Sequence, residues 1–301
     1  MLMRTLLIAG FGDIARRAVP MLRTRHWRIV ALVRSEAQAS EARARGALPI
    51  VADLDHSDTL GRACPGVDAV LYTAPPRNDG ENDLRLLKLL SAFGKADSIP
   101  QRFVYISTSG VYGDHGGAWI DETARLRAAT PRALRRIAAE RLLRKRVRTW
   151  PTTVTILRAP GIYAADRLPL ERLRQRTPVA QAADDNLGNH IHADDLARLC
   201  VAALERRGGL RIYNACDDRP IGSGDWFCLL AAHCGLPLPP RLPRTALFSA
   251  LTPLQASFFA ESRRLSNRRI HHELGVRLVW PSVEFFLAAH AAALAEHGKI
   301  R

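Results

Sequence analysis

The sequence predicts an α/β fold, a doubly wound parallel sheet completed by a small C-terminal lobe. Three observations carry that expectation. Short apolar runs alternate with helical patterns as far as Gly113, the first of these runs passes directly into a glycine turn, and further strand-like runs return at 152–157 and Leu210–Asn214. With 301 residues, of which 47% are hydrophobic and 24% charged, the chain can bury a large core and shows no disordered composition.

The first element is an apolar strand, Thr5–Ala9, followed at once by Gly10-Phe11-Gly12-Asp13-Ile14-Ala15 and a helical pattern. Gly10 permits a tight turn, Gly12 lets a pyrophosphate approach the backbone, and small Ala15 lets helix and strand pack closely. Phe11, Asp13 and Ile14 complete a loop whose orphan amides, at the helix start, face the phosphates. Ile14, Ala18 and Leu22 share one helix face, and Pro20 is expected to kink or shorten the helix.

A second strand, Arg28–Val33, ends in Arg34-Ser35. At that position a carboxylate would suit a free ribose 2′-hydroxyl, whereas a guanidinium and a hydroxyl suit a 2′-phosphate, so NADP is expected over NAD. The plain alternative is an exposed arginine after a strand. A helix at 35–46 and a strand at Leu48–Val51 lead to Asp53-Leu54, where Asp53 faces the adenine amino group or caps a helix beginning near Ser57. The next strand, 67–72, is stopped by Thr73-Ala74-Pro75-Pro76, and the helix at 83–93 offers Leu84, Leu87, Leu90 and Phe93 as core. Strand 102–106 then runs into Ser107-Thr108-Ser109-Gly110-Val111-Tyr112-Gly113. In a parallel sheet the segments around Gly10, Arg34, Asp53, Thr73 and Thr108 share the carboxyl edge, where a Rossmann-like fold holds its dinucleotide.

Residues 107–113, the acidic pair Asp121-Glu122, the stretch from Leu157-Arg158 to Ile162-Tyr163, and Asn189-His190-Ile191-His192-Ala193-Asp194-Asp195 together resemble the extended short-chain dehydrogenase/reductase superfamily, the NAD-dependent epimerases and dehydratases. Tyr213-Asn214-Ala215 and the closing 267–281 segment extend the likeness over nearly the whole chain, although the glycine motif departs from the extended GxxGxxG and is nearer to atypical members. The resemblance implies a tyrosine that exchanges a proton with substrate, a lysine four residues later, and a Ser or Thr, which Thr108 matches. Aligning the helix by Glu140 puts Arg132 at the tyrosine and Arg136 at the lysine. No tyrosine lies between Gly113 and Ile162, and the only lysine there is Lys145. Arginine offers donors alone, so Arg132 cannot be a proton-transferring base, while Arg136 either donates to a nicotinamide ribose or phosphate or pairs with Glu140 on the helix. The replacement acids on offer are Tyr163 and Tyr112, with His115 in a loop behind them; His192 is expected to order backbone, and Pro160 to border the cofactor.

The net charge of +15 comes from 44 Lys+Arg against 29 Asp+Glu, densest between Arg132 and Arg148. Arginines are spread from Arg4 to Arg301 without a recognition-module signature, so a nucleic-acid partner is not expected. Five cysteines with no CxxC and no metal-ligand spacing read as reduced thiols in a cytoplasmic protein that binds no metal, and no apolar run reaches membrane-spanning length. The expected organisation is a cofactor domain at 1–164, rejoined by about 186–216, and a substrate lobe from 165–185 and 217–301, with a polar helix at 167–177. Its pocket is expected near Thr108, Tyr163 and Gln181, for a small and, given the arginines, anionic substrate; a homodimer is compatible with all of this. The expected function is an NADP-dependent oxidoreductase or epimerase-like protein with a non-standard proton donor. The alternative is a non-catalytic NADP-binding redox sensor or regulator.

Overall fold

The computed structural model describes residues 3–294. Seven parallel strands form the central sheet: β1 (Thr5–Ala9), β2 (Arg28–Val33), β3 (Leu48–Val51), β4 (Ala69–Tyr72), β5 (Arg102–Thr108), β6 (Thr153–Ala159) and β7 (Leu210–Asn214), in the order β7-β6-β5-β4-β1-β2-β3. The chain winds outward from β1 to β3, crosses back to β4 and winds the other way. The crevice between β1 and β4 is therefore the switch point at which ligands bind in such sheets.

Side chains alternate across the sheet, and each face has its own core. Leu6, Ile8, Leu71 and Val104 point to the side covered by α1 (Asp13–Arg23) and the helix Ala193–Glu205. Leu7, Ala9, Val70, Tyr72 and Phe103 point to the side covered by α3 (Leu84–Lys95) and α4 (Pro131–Arg146), and α2 (Glu36–Ala44) packs near β3. Strands buried on both faces read as continuous apolar runs, which is why their sequence signal is strong.

Three expectations are corrected. The helix α1 continues through Pro20 to Arg23, because Pro20 lies on the exposed face, where the carbonyl it leaves unbonded can be hydrated. In α3 the buried set is Leu86, Leu89, Leu90, Ala92 and Phe93, while Leu84 and Leu87 are exposed. The helix expected at 167–177 is reduced to α5 (Leu170–Arg174), which starts after Pro169 and is followed by Arg176 in the left-handed region at φ 51°.

Side chains start the helices that need them. Ser35 accepts from the Gln38 amide at α2, Asp83 from Leu86 at α3, and Thr130 from Ala133 at α4, where Pro131 sets the first turn. His192 does the same through Nδ1 for α6 (Ala193–Glu205), the backbone-ordering role expected of it. By contrast, α1 begins at Gly12 with no side-chain cap. A third core, with Trp226, Phe227 and Leu230 of α7 (Ser223–His233) against Phe286 and Leu287, builds the C-terminal part. All five cysteines are free thiols. Among the described residues no helix is long and apolar enough to cross a membrane.

The helix α4 is fixed to the sheet by a buried ion pair. Arg158, on β6, donates from Nε and Nη2 to the two Glu140 carboxylate oxygens at 3.0 and 2.6 Å, and Ser107, on β5, donates to the same carboxylate at 2.7 Å. Both charged side chains are sealed from solvent. Removing one partner would leave the other charge buried and unanswered. Glu140→Ala should therefore lower the unfolding free energy by about 3–5 kcal/mol, read by denaturant titration; a loss below about 1 kcal/mol, the range of an exposed pair, would show that the network does not hold α4.

Candidate cofactor and active site

At the switch point the loops after β1 and β4 touch. Gly10 has φ +98°, and a Cβ on it would lie 2.6 Å from the Ala74 nitrogen, so the position demands glycine for both conformation and space. The Thr73 hydroxyl donates to the Gly10 carbonyl, and the amides of Thr73 and Ala74 both donate to the Ala9 carbonyl at 3.0 Å. A Cβ on Gly12 would meet nothing within 4 Å. The uncapped start of α1 therefore faces open space, the cradle that a pyrophosphate needs, and the residues fit a dinucleotide. Phe11 and Ile14 turn their side chains into the core, each 7% exposed, leaving their backbone to line the turn. Burial pushes the Asp13 carboxyl up, but hydrogen bonds from Arg167 at 2.6 Å and Arg17 at 2.8 Å outweigh it and hold it below the usual range. Its negative charge is thereby answered beside the open turn.

The next two strand ends lie side by side, Val33 being in register with Val51. Arg34 is exposed just beyond β2, and its amide donates to Gln38 Oε1 at 2.9 Å. Ser35 spends its oxygen lone pair on the Gln38 amide and keeps a hydrogen to donate. Asp53 does not cap the short helix Ser57–Thr59, whose cap residue is His56; its Oδ1 instead accepts from the Asp55 amide at 2.9 Å in an Asx turn. Leu54 is a core residue, 8% exposed.

Beyond β4 to β6 opens a cleft of about 560 Å³. It brings together Pro75, Thr108, Arg136 and Pro160 from the expected site. Thr108 Oγ1 accepts from the Gly110 amide at 3.2 Å, so its hydrogen is available to a ligand oxygen. Arg136 does not pair with Glu140, which is committed to Arg158; it donates to the Tyr105 hydroxyl at 2.8 Å while still lining the cleft. Arg132 and Arg135 stand on the same wall, and Arg135 reaches the Gly80 carbonyl at 3.0 Å.

Neither expected phenol belongs to this cleft. Tyr112 is fully buried, donates to Asn214 Oδ1 at 2.6 Å and lies under the Arg158 guanidinium; burial pushes it up to about 12. Tyr163 is 2% exposed, packed edge-on against His192 and Phe286, and its hydroxyl has no hydrogen-bond partner among the described residues. Burial raises that phenol as well, with the carboxylate of Asp217 adding to it. Gln181 is occupied with Asp184 at 2.8 Å, and His115 with the Arg125 carbonyl at 3.2 Å. The cleft contains instead two residues to which no role had been attached. His190 faces it beside Trp226, and burial lowers its pKa to about 4, so the imidazole is neutral at pH 7. Arg172 enters from α5. Only the Asn-His-Ile-His run hinted at the first, and nothing local marked the second.

A family model described as NAD(P)H-binding matches residues 10–207. The chain belongs to that family. The model starts at Gly10 of the turn just described and ends after α6, so it takes in the sheet edge from β1 to β6. Within it the chain falls in the short-chain dehydrogenase/reductase and NAD-dependent epimerase/dehydratase superfamily. The solved structure of a functionally unknown conserved protein of Silicibacter pomeroyi DSS is 32% identical with TM-score 0.80, covering 96% of this chain and 99% of that one. An NAD-dependent epimerase/dehydratase-type protein of Methylobacillus flagellatus is 26% identical with TM-score 0.74, covering 97% and 99%. A 4-hydroxy-2-methyl-3-oxo-4-farnesyl-3,4-dihydroquinoline-1-oxide ketoreductase of Stigmatella aurantiaca is 29% identical over 250 residues, 78% of this chain and 74% of that protein.

The two tyrosines should respond oppositely to losing their hydroxyls. Tyr112→Phe leaves Asn214 Oδ1 without its donor and should cost about 1–3 kcal/mol in denaturant unfolding, whereas Tyr163→Phe removes an unpartnered buried hydroxyl and should be neutral or stabilising. Equal losses at both would mean that Tyr163 has a partner. Gly10→Ala should cost about 1–3 kcal/mol through backbone strain and abolish dinucleotide binding measured by fluorescence; retained binding would remove Gly10 from the phosphate turn.

Proposed function

We propose that the protein is an NADP(H)-dependent oxidoreductase or epimerase-like enzyme acting on a small molecule, and that Thr108 and the arginines of α4 replace the usual tyrosine and lysine. The observation that carries this reading is the continuity of one edge, from the open Gly12 turn, past Thr73 and Pro75, to the Thr108 hydroxyl in a cleft without a phenol. The Stigmatella ketoreductase likeness favours a carbonyl substrate.

When bound, the nicotinamide supplies or accepts the hydride. The chain's own groups would do the rest. Gly10, Phe11, Gly12, Asp13 and Ile14 present backbone to the pyrophosphate; Arg34 and Ser35 take the ribose 2′-phosphate; Asp53 and Leu54 border the adenine; Thr73, Ala74, Pro75 and Pro160 wall the nicotinamide half. Thr108 donates to the reacting oxygen, Arg136 holds the nicotinamide ribose, and the neighbouring guanidinium charge stabilises an alkoxide that then takes its proton from water. In this division 1–164 and about 186–216 hold the cofactor, and 165–185 with 217–301 cover the substrate. The reduced cysteines suit a cytoplasmic setting.

A non-catalytic NADP sensor is the second reading, favoured by the burial of Tyr112 and Tyr163 away from the cleft. Titration with NADPH and NADH followed by a carbonyl-substrate panel separates the two. NADPH should bind more tightly, and Arg34→Ala should weaken it about tenfold or more while sparing NADH. Thr108→Val should lower kcat/KM about 10- to 100-fold with cofactor affinity unchanged. Tighter NADH binding would overturn the NADP assignment, and binding without turnover across the panel would establish the sensor.

A further inference from the structure

Most cleft arginines have protein acceptors. Arg136 donates to Tyr105, Arg167 to Asp13, and Arg263 to the Gly113 carbonyl and to Glu261, the carboxylate on the cleft wall. Arg172 differs. Its Nε and Nη2 are buried and donate to nothing among the described residues, and no carboxylate among those residues pairs with it. The neighbouring Glu171 is exposed and belongs to Arg174 and Gln175. The Arg172 guanidinium is instead held by rings, its central carbon 4.3 Å from the centroid of Phe227 and 5.1 Å from that of Phe259. Burial pulls its pKa down, with nothing opposing, yet a guanidinium does not lose its proton in a protein.

A half-buried cation without an anion is a costly thing to keep, and two aromatic faces offset only part of that cost. What they do provide is a fixed plane, so that the planar fork is oriented before any ligand arrives. Arg172 and Thr108 line the same cleft, one from the lobe and one from the end of β5, with Ile162, Trp226 and Leu265 supplying apolar wall.

We propose that Arg172 is the receptor for an oxyanion, a carboxylate or a phosphate, carried by the substrate on an apolar body whose reacting oxygen meets Thr108. This rests on the oxidoreductase reading for the second half of the statement and on Arg172 alone for the first. The substrate class is accordingly an apolar or aromatic hydroxy- or oxo-acid, or the corresponding phosphate ester. A neutral carbonyl compound of the same shape would leave the fork empty.

The test is calorimetric titration of the full chain, with and without saturating NADP+, using benzoate, phenyl phosphate and neutral benzamide as probes. One or both oxyanions should bind and benzamide should not; the tighter of the two identifies carboxylate or phosphate as the natural group. Arg172→Met should weaken that binding about 10- to 100-fold and leave NADP+ affinity unchanged. Arg172→Lys, which keeps the charge but loses the fork, should fall between them and guards against a folding defect in the first variant. Binding of benzamide as tight as benzoate, equal oxyanion affinity in wild type and Arg172→Met, or no oxyanion binding to the wild type would each overturn the proposal. Failure of NADP+ to bind while the oxyanion arms behave as expected would count against the cofactor reading alone.

Discussion

The carboxylate of Glu140 is the constraint on which the site depends. It is buried between α4, β5 and β6, and it receives Arg158 through two nitrogens and Ser107 through its hydroxyl. A buried ion pair is seldom a stability device, since an apolar replacement of the same shape often does as well. Its effect here is positional. It holds the middle of α4 against the ends of two strands, and one turn away on either side of that anchor the helix carries Arg136 and Leu143, the first to the cleft and the second to the core. Arg158 in turn lies over the Tyr112 ring, tying the loop after β5 into the same network.

A second buried carboxylate works in parallel. Asp83 caps α3 and receives the hydroxyls of Tyr72 at 3.5 Å and Tyr105 at 3.3 Å, and Tyr105 is the acceptor for Arg136. Burial raises the Asp83 carboxyl, and the charge of Arg136 works against that rise. The Arg136 guanidinium is thus secured from behind by a phenol and a carboxylate while one side faces the cleft. Such a wall can position and polarise a ligand, but it cannot exchange protons with it, and the proposed chemistry is shaped accordingly.

Much of this was legible in the sequence. Strands buried on both faces produce uninterrupted apolar runs, glycines at a strand-to-helix junction have few other uses, and residues at consecutive strand ends of a parallel sheet must share an edge. Those features bring Gly10, Thr73 and Ala74 into contact. What failed depended on facts that no local pattern carries. Glu140 lies at the right spacing to pair with Arg136, and only the sheet beneath it brings Arg158 closer. Tyr112 belongs to a turn motif and Tyr163 to a strand end, positions that suggest access, but packing from the closing segment and from the third core seals both. Arg172 looks like any other arginine until Phe227 and Phe259, more than fifty residues away along the chain, are folded against it.

In the proposed enzyme one edge of the sheet holds an NADP molecule whose nicotinamide end meets Thr108 and guanidiniums in place of a tyrosine. A crystal structure of the complex with NADP+ tests it most directly. Pyrophosphate oxygens should lie on the amides after Gly12, the 2′-phosphate against Arg34, and the nicotinamide beside Thr108 with its ribose in reach of Arg136. A nicotinamide turned away from Thr108, or a tyrosine hydroxyl brought into contact with it, would overturn this arrangement.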